Sequence, residues 1–179
     1  YKSLPEACRY FYPDGTRFTA PTNEEEFVKI AASTFDVSEK KLKAYMDENR
    51  KIFENAGEVF LTHSLQKVKT WIQPKVVKSL FHSYVLNMLK SMHQVTSKRI
   101  SDPRLVQLFD RYATYNGSSP YKASSILNSI SSLEHEYGTY FPVGGMAHIA
   151  KSIENLAKEL GVIFYYNKTI ERIKYAGNT

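Results

Sequence analysis

The sequence predicts an α+β fold, mostly helical with a small β-sheet, and three observations carry that prediction. A hairpin pattern occupies residues 7–20 around Pro13-Asp14-Gly15. Apolar residues at three-four spacing fill the region from about residue 22 to residue 133. A strand pattern at 138–142 then runs into Gly144-Gly145, a helix and two further strand patterns.

In the hairpin, Cys8-Arg-Tyr-Phe-Tyr12 and Thr16-Arg-Phe-Thr19 flank a turn in which Pro presets φ and Gly accepts a positive one. The first helix starts at Pro21-Thr22, where Thr22 and Glu25 match a capping box. Glu24, Glu25 and Glu26 put negative charge where the helix dipole favours it, so this acidic run needs no metal. Phe27, Ile30, Ala31 and Thr34 are its expected inward face. Ser38 caps a long helix whose stripe runs Leu42, Tyr45, Met46, Asn49, Ile52, Phe53, Ala56, Val59 and Phe60. Residues 64–100 continue as interrupted helix, with Pro74 suited to a first turn. Asp102-Pro103 is a strong start signal, an N-cap residue followed by proline at the first helical position. The helix it opens carries Leu105, Leu108, Phe109, Tyr112 and Tyr115, and Asn116-Gly117 ends it. One more helix, Ser124 to Leu133, leads to the strand at 138–142.

After the glycine pair, Met146, Ile149, Ile153, Leu156, Ala157 and Leu160 share one helical face. Gly161 stands where a left-handed C-cap residue is expected. Val162–Tyr166 and Thr169–Tyr175 read as strands. Gly144-Gly145 has two readings. It is either a place where backbone approaches a phosphate or a flat cofactor, or simply a tight strand-to-helix turn.

Length and composition exclude several classes. The 179 residues fit one domain, or one and part of another. The 13 Tyr and 10 Phe suit a large apolar cavity and a packed core equally well. No run of about 18 apolar residues predicts a membrane span, and no signal-peptide pattern opens the chain. Cys8 is the sole cysteine, which rules out an internal disulfide and fits a reducing compartment. The chain begins at Tyr1 and stops at Ala176-Gly-Asn-Thr179, a turn sequence; the expectation is a piece of a longer protein. Between Thr62 and Arg111 the net charge is +7, against +6 for the whole chain. A basic, apolar, helical segment of this kind meets an anionic membrane surface, binds nucleic acid, or is a solvated face. No nucleic-acid motif accompanies it.

Tests for known chemistry mostly fail. His63, His82, His93, His135 and His148 form neither HExxH nor a cluster with ligand spacing, so no metal site is expected. G-x-S-x-G, G-x-x-x-x-G-K and G-x-G-x-x-G are all absent.

Three stretches go further. They are Arg9-Tyr-Phe-Tyr-Pro-Asp-Gly-Thr-Arg-Phe18, the run from Asp102-Pro-Arg-Leu to Pro120-Tyr-Lys-Ala123, and Leu133-Glu-His-Glu-Tyr-Gly-Thr-Tyr-Phe-Pro-Val-Gly-Gly-Met146 with Glu159-Leu-Gly-Val162 and Thr169-Ile-Glu-Arg-Ile173. In this order they resemble the carotenoid desaturase family, the phytoene desaturase/dehydrogenase-like enzymes of the amine-oxidase-like flavoprotein superfamily. One departure is Ala123-Ser124, where many members have Ala-Pro.

The resemblance implies a middle portion of such an enzyme. Residues 1–143 would be a substrate-binding domain and 144–179 part of an FAD-binding domain. Gly144, Gly145 and Met146 would lie near the flavin, and the backbone of Ile170 would face the FAD adenine. The segments that complete the flavin site in this family are not in the chain, so the expectation is that the chain alone neither holds FAD nor turns over. The implied substrate is an apolar polyene, reached by a cytoplasmic, peripherally membrane-associated protein through residues 62–111. Arg111, Tyr112, Tyr115, Glu134 and His135 are the catalytic candidates, each with a structural role as the alternative. Two competing readings remain: an amine-oxidase-like flavoenzyme with a polar substrate, and a non-enzymatic basic helical module.

Overall fold

A computed structural model describes residues 1–62 and 89–174, with no statement on side chains 55–62. Expectations for Pro74, His63, His82 and most of the basic segment lie outside the described residues. The elements are β1 (Lys2–Leu4), β2 (Glu6–Phe11), β3 (Arg17–Pro21), α1 (Glu24–Thr34), α2 (Glu39–Thr62), α3 (Met92–Arg99), α4 (Pro103–Asp110), α5 (Ile130–Tyr137), β4 (Thr139–Phe141) and α6 (Ala147–Glu159). Short 3-10 segments span Arg111–Asn116 and Ser125–Ser129. The mixture of helices with small antiparallel strand pairs is the α+β class that the sequence predicts. The chain divides into two units, Ser3–Thr139 and Tyr140–Thr179 with Tyr1–Lys2.

In the larger unit, β2 and β3 pair antiparallel with Tyr10 opposite Phe18 and Phe11 opposite Arg17. Gly15 takes φ +85° at the turn, and Asp14 Oδ1 accepts the Thr16 N–H at 2.9 Å. Phe18 and Ala20 point into the core while Arg17 and Thr19 face solvent, the alternation of a half-buried strand.

The cap of α1 differs from expectation by one residue. Asn23 Oδ1 accepts the Glu26 N–H at 3.0 Å, while the Thr22 hydroxyl instead donates to the Leu4 carbonyl at 2.8 Å. Two capping residues in succession, each followed three residues later by Glu, make the local signal degenerate; the tie of Thr22 to the preceding segment decides it. The buried face also turns, to Phe27, Val28, Ala31 and Ala32, leaving Ile30 37% exposed. Packing of α1 between β3 and α2 sets that arc, which runs from Phe27 toward Val28 rather than toward Ile30.

Helix α2 buries Leu42, Tyr45, Met46, Asn49 and Ile52, as its stripe predicts. Asp102 caps α4, accepting the Arg104 N–H at 2.8 Å, with Pro103 in the first turn. Arg104 then joins the hairpin tip to this helix. Its guanidinium donates to Asp14 Oδ2 at 2.8 Å, Thr16 Oγ1 at 3.0 Å and Asp102 Oδ2 at 2.6 Å. The core between hairpin and helices is aromatic: Phe18 and Phe35 rings lie 5.1 Å apart, and Tyr45 meets Phe109 edge-on at 5.0 Å.

In the smaller unit, α6 ends at Gly161 with φ +87°. The Gly161 N–H bonds the Lys158 carbonyl at 3.0 Å and the Val162 N–H bonds that of Ala157 at 2.9 Å, the two bonds of a Schellman cap. The expected strands are not formed: residues 162–174 carry no ladder, with Asn167 at φ +55° between the two segments. A β-prone run is a strand only when a neighbour takes up its N–H and C=O groups, and none does so here among the described residues. The apolar face of α6 is correspondingly open, with Met146, Ile153, Leu156 and Leu160 all exposed.

Candidate functional site

Helix α5 and the turn after α4 bring together four of the five catalytic candidates. Glu134 receives three donors: Tyr112 OH at 2.9 Å, Arg111 Nη2 at 3.3 Å and Tyr115 OH at 3.4 Å. The Arg111 guanidinium lies over the Tyr112 ring at 4.7 Å, with Tyr10 and Tyr115 rings at 5.7 and 5.9 Å. Three tyrosines thus form a cage around one cation, which cation–π attraction favours. Tyr112 and Tyr115 are placed together because the tight 3-10 segment Arg111–Asn116 eclipses side chains three residues apart, and their rings stack with centroids 6.0 Å apart. Tyr10 arrives from the hairpin, far away in sequence, and was not a candidate; nothing local in the sequence marks it.

Electrostatics in the cage are consistent with fixed protonation states. Burial pushes the Tyr10 and Tyr112 phenols well above the usual tyrosine range. Burial opposes the charge on Arg111, but Tyr10, Tyr112 and Glu134 outweigh it and hold the guanidinium firmly protonated. Both oxygens of Glu134 are occupied by donors, so this carboxylate is better suited to orienting its partners than to abstracting a proton. The atoms with spare capacity are Tyr10 OH and Arg111 Nε, buried and without a hydrogen bond.

His135 does not join this group. It is 8% exposed and packs on Phe27, ring centroids 4.5 Å apart. Burial pulls its pKa below the ordinary value, against the opposing pull of Glu134 and Glu24. The folded state therefore keeps a neutral imidazole where the unfolded chain takes up a proton. Stability from this residue is complete above about pH 6.5 and falls as pH drops below it, levelling off below the folded-state pKa. Urea midpoints measured from pH 7.5 to 5 are expected to decline, and His135→Phe to flatten that decline. An unchanged profile in the variant would mean that other groups cause it.

Gly144 and Gly145 occupy the other candidate site. The Gly145 N–H bonds the Pro142 carbonyl at 3.0 Å, closing a turn with Gly144 at φ +88°, and Gly145 follows at φ +90°. A Cβ on Gly144 would overlap the His148 imidazole, whose Nδ1 is bonded to the Val143 carbonyl at 2.9 Å. A Cβ on Gly145 would meet nothing within 4 Å. The backbone at Gly145 is thus bare on one side. Met146, at the start of α6, supplies no side-chain cap. Ile170 is 73% exposed in an unpaired stretch of backbone. Among the described residues no group of His, Cys, Asp and Glu could hold a metal, and no helix is long and apolar enough to cross a membrane.

No family model matches the chain. It is 39% identical over 178 residues to a 1-hydroxycarotenoid 3,4-desaturase of Flavobacterium sp. (strain P99-3), covering 99% of this chain and 36% of that protein. Along nearly its whole length the chain is thus similar to a carotenoid desaturase. A second relative, 4,4'-diaponeurosporene oxygenase of Staphylococcus aureus (strain USA300), is 28% identical over 173 residues, 97% of this chain and 34% of that protein. The chain therefore spans about a third of the length of the curated relatives it matches.

Proposed function

We propose that the protein carrying this chain is an FAD-dependent oxidoreductase that desaturates a carotenoid or carotenoid precursor. The observation that carries this reading is the alignment, along nearly the whole chain, with a 1-hydroxycarotenoid 3,4-desaturase. The two glycines fit the cofactor. One is held bare on its outer side at positive φ, and the first turn of α6 follows without a side-chain cap, a setting that suits close approach of a flat or anionic group. Gly144, Gly145, Met146 and the backbone of Ile170 are the residues that would hold it. When bound, the flavin supplies a hydride acceptor at N5, the proton leaving to a base or to water.

In this reading the residues of the larger unit position substrate. The Arg111 cage holds a fixed charge and three phenols beside α5, and Glu134 orients the guanidinium and the Tyr112 and Tyr115 phenols. The aromatic core gives the unit rigidity, which a site needs to hold an apolar chain. The polar-substrate alternative called for convergent charges beside Gly144; the side chain packed against it is His148.

A polyene substrate resides in the bilayer, so the protein must touch a membrane surface, and residues 62–111 supply the positive charge for it. Binding to vesicles should rise with anionic lipid and fall with salt; indifference to both overturns this contact.

The full-length protein, reconstituted with FAD and given acyclic carotenoids in liposomes, is expected to move the polyene absorption to longer wavelength as double bonds are added. Substrate recovered unchanged across a hydroxylated and a hydrocarbon series would overturn the reading. The 179-residue chain alone should show no tight stoichiometric flavin binding.

A further inference from the structure

A second pair of chemistry-bearing side chains lies beside the tyrosine cage, in a cavity that Arg111 also lines. His93 of α3 and Asp110 at the end of α4 meet with Nδ1 and Oδ2 2.7 Å apart. They line a cavity of about 750 Å³, within the range of small-molecule sites. Asp110 is 8% exposed, and its other oxygen, Oδ1, is buried without a partner. Tyr121 lies against the imidazole, ring centroids 4.5 Å apart. Ile100, Pro103 and Val106 supply apolar wall.

The pair has a definite polarity. A buried carboxylate at Nδ1 fixes the neutral imidazole in the tautomer that carries its proton there, which leaves Nε2 as an acceptor. Bracing two helices requires only the contact; it does not require an open cavity beside it or a buried carboxylate oxygen left unmatched. A ligand suited to this site brings a hydrogen-bond donor on an apolar body.

We propose that this cavity binds an apolar chain ending in a hydroxyl group, the hydroxyl donating to Nε2 of His93. The carotenoid reading supplies only the nature of the chain, an isoprenoid; the acceptor site stands on its own geometry. Burial also holds the Asp110 carboxyl above the usual range, against the pull of His93.

The test is a titration of the full-length protein with farnesol and with farnesene, its hydrocarbon counterpart. Dissociation constants are measured and the His93 imidazole nitrogen resonances followed. Farnesol should bind about three- to tenfold more tightly, the worth of one hydrogen bond, and should move the His93 signals saturably. His93→Phe is expected to erase that preference, and Asp110→Asn to weaken it. Gln107 is exposed at the rim, so Gln107→Trp should exclude both ligands without disturbing the core. Equal affinities, no binding, or a preference that survives in His93→Phe would overturn the site. Failed desaturation with farnesol preference intact would sink the functional reading alone. Normal desaturation without the preference would sink this proposal alone.

Discussion

Glu134→Ala is expected to cost the Ser3–Thr139 unit about 2–4 kcal/mol, read as a fall in the urea midpoint at constant slope. The carboxylate is 13% exposed and its partner Arg111 28% exposed, so the pair sits between the surface and buried limits. Removal strands three donors at once. The Arg111 guanidinium keeps its charge inside the tyrosine cage with no counter-ion, and the Tyr112 hydroxyl, from a ring 1% exposed, has lost its acceptor. Tyr112→Phe deletes one donor and leaves the carboxylate to Arg111 and Tyr115, so about 1 kcal/mol is expected. Glu134→Gln keeps the shape and one acceptor oxygen but loses the charge, and should fall between the two. A double-mutant cycle of Arg111→Met with Glu134→Gln should show a coupling of about 1–3 kcal/mol. A loss below about 0.5 kcal/mol in Glu134→Ala would mean that the cage is a solvated surface arrangement of the kind that contributes little. If the full-length protein has the proposed activity, a positioning role predicts a rise in KM larger than the fall in kcat, whereas a proton-transfer role predicts the reverse.

What the sequence made legible was local. Pro13-Asp14-Gly15, Asp102-Pro103 and Gly161 each settle a turn or a cap through their own backbone preferences, and each forms as expected. The α2 stripe from Leu42 to Ile52 is equally direct, because a long period averages over single exceptions; Ala56, Val59 and Phe60 lie outside the described side chains. Cases decided by a neighbour were harder. The α1 cap moved from Thr22 to Asn23 through a bond to Leu4, and Ile30 was displaced from the buried face by the arc that β3 and α2 impose. His93 and Asp110 stand on different helices, 17 residues apart, and their meeting follows from how α3 packs on α4. Tyr10 reaches Arg111 only once the hairpin is docked. The unpaired stretch 162–174 is the converse case: its strand propensity is legible, but propensity does not supply a neighbouring ladder.

Gly144→Ala is expected to be the most damaging small substitution in the Tyr140–Thr179 unit, because it fails on two independent counts. At φ +88° a side chain is strained, at about 1–2 kcal/mol. The added Cβ also overlaps the His148 ring, whose Cγ would lie 2.9 Å away. Relief requires the ring to swing out and give up its bond to the Val143 carbonyl, so a total of about 2–4 kcal/mol is expected. Gly145→Ala separates the terms. Its φ is +90° but its Cβ meets open space, so only the backbone cost applies. His148→Ala in the Gly144→Ala background removes the collision and should recover the difference between the two glycine variants. Flavin retention by the full-length protein gives the functional counterpart. If Gly145 is where the cofactor approaches, Gly145→Ala should lower FAD occupancy more than its stability cost accounts for. Gly161→Ala, with the same backbone strain at the far end of α6, should leave occupancy unchanged. Equal loss of flavin in all three variants would mean that the glycines serve the fold of the turn and not the cofactor.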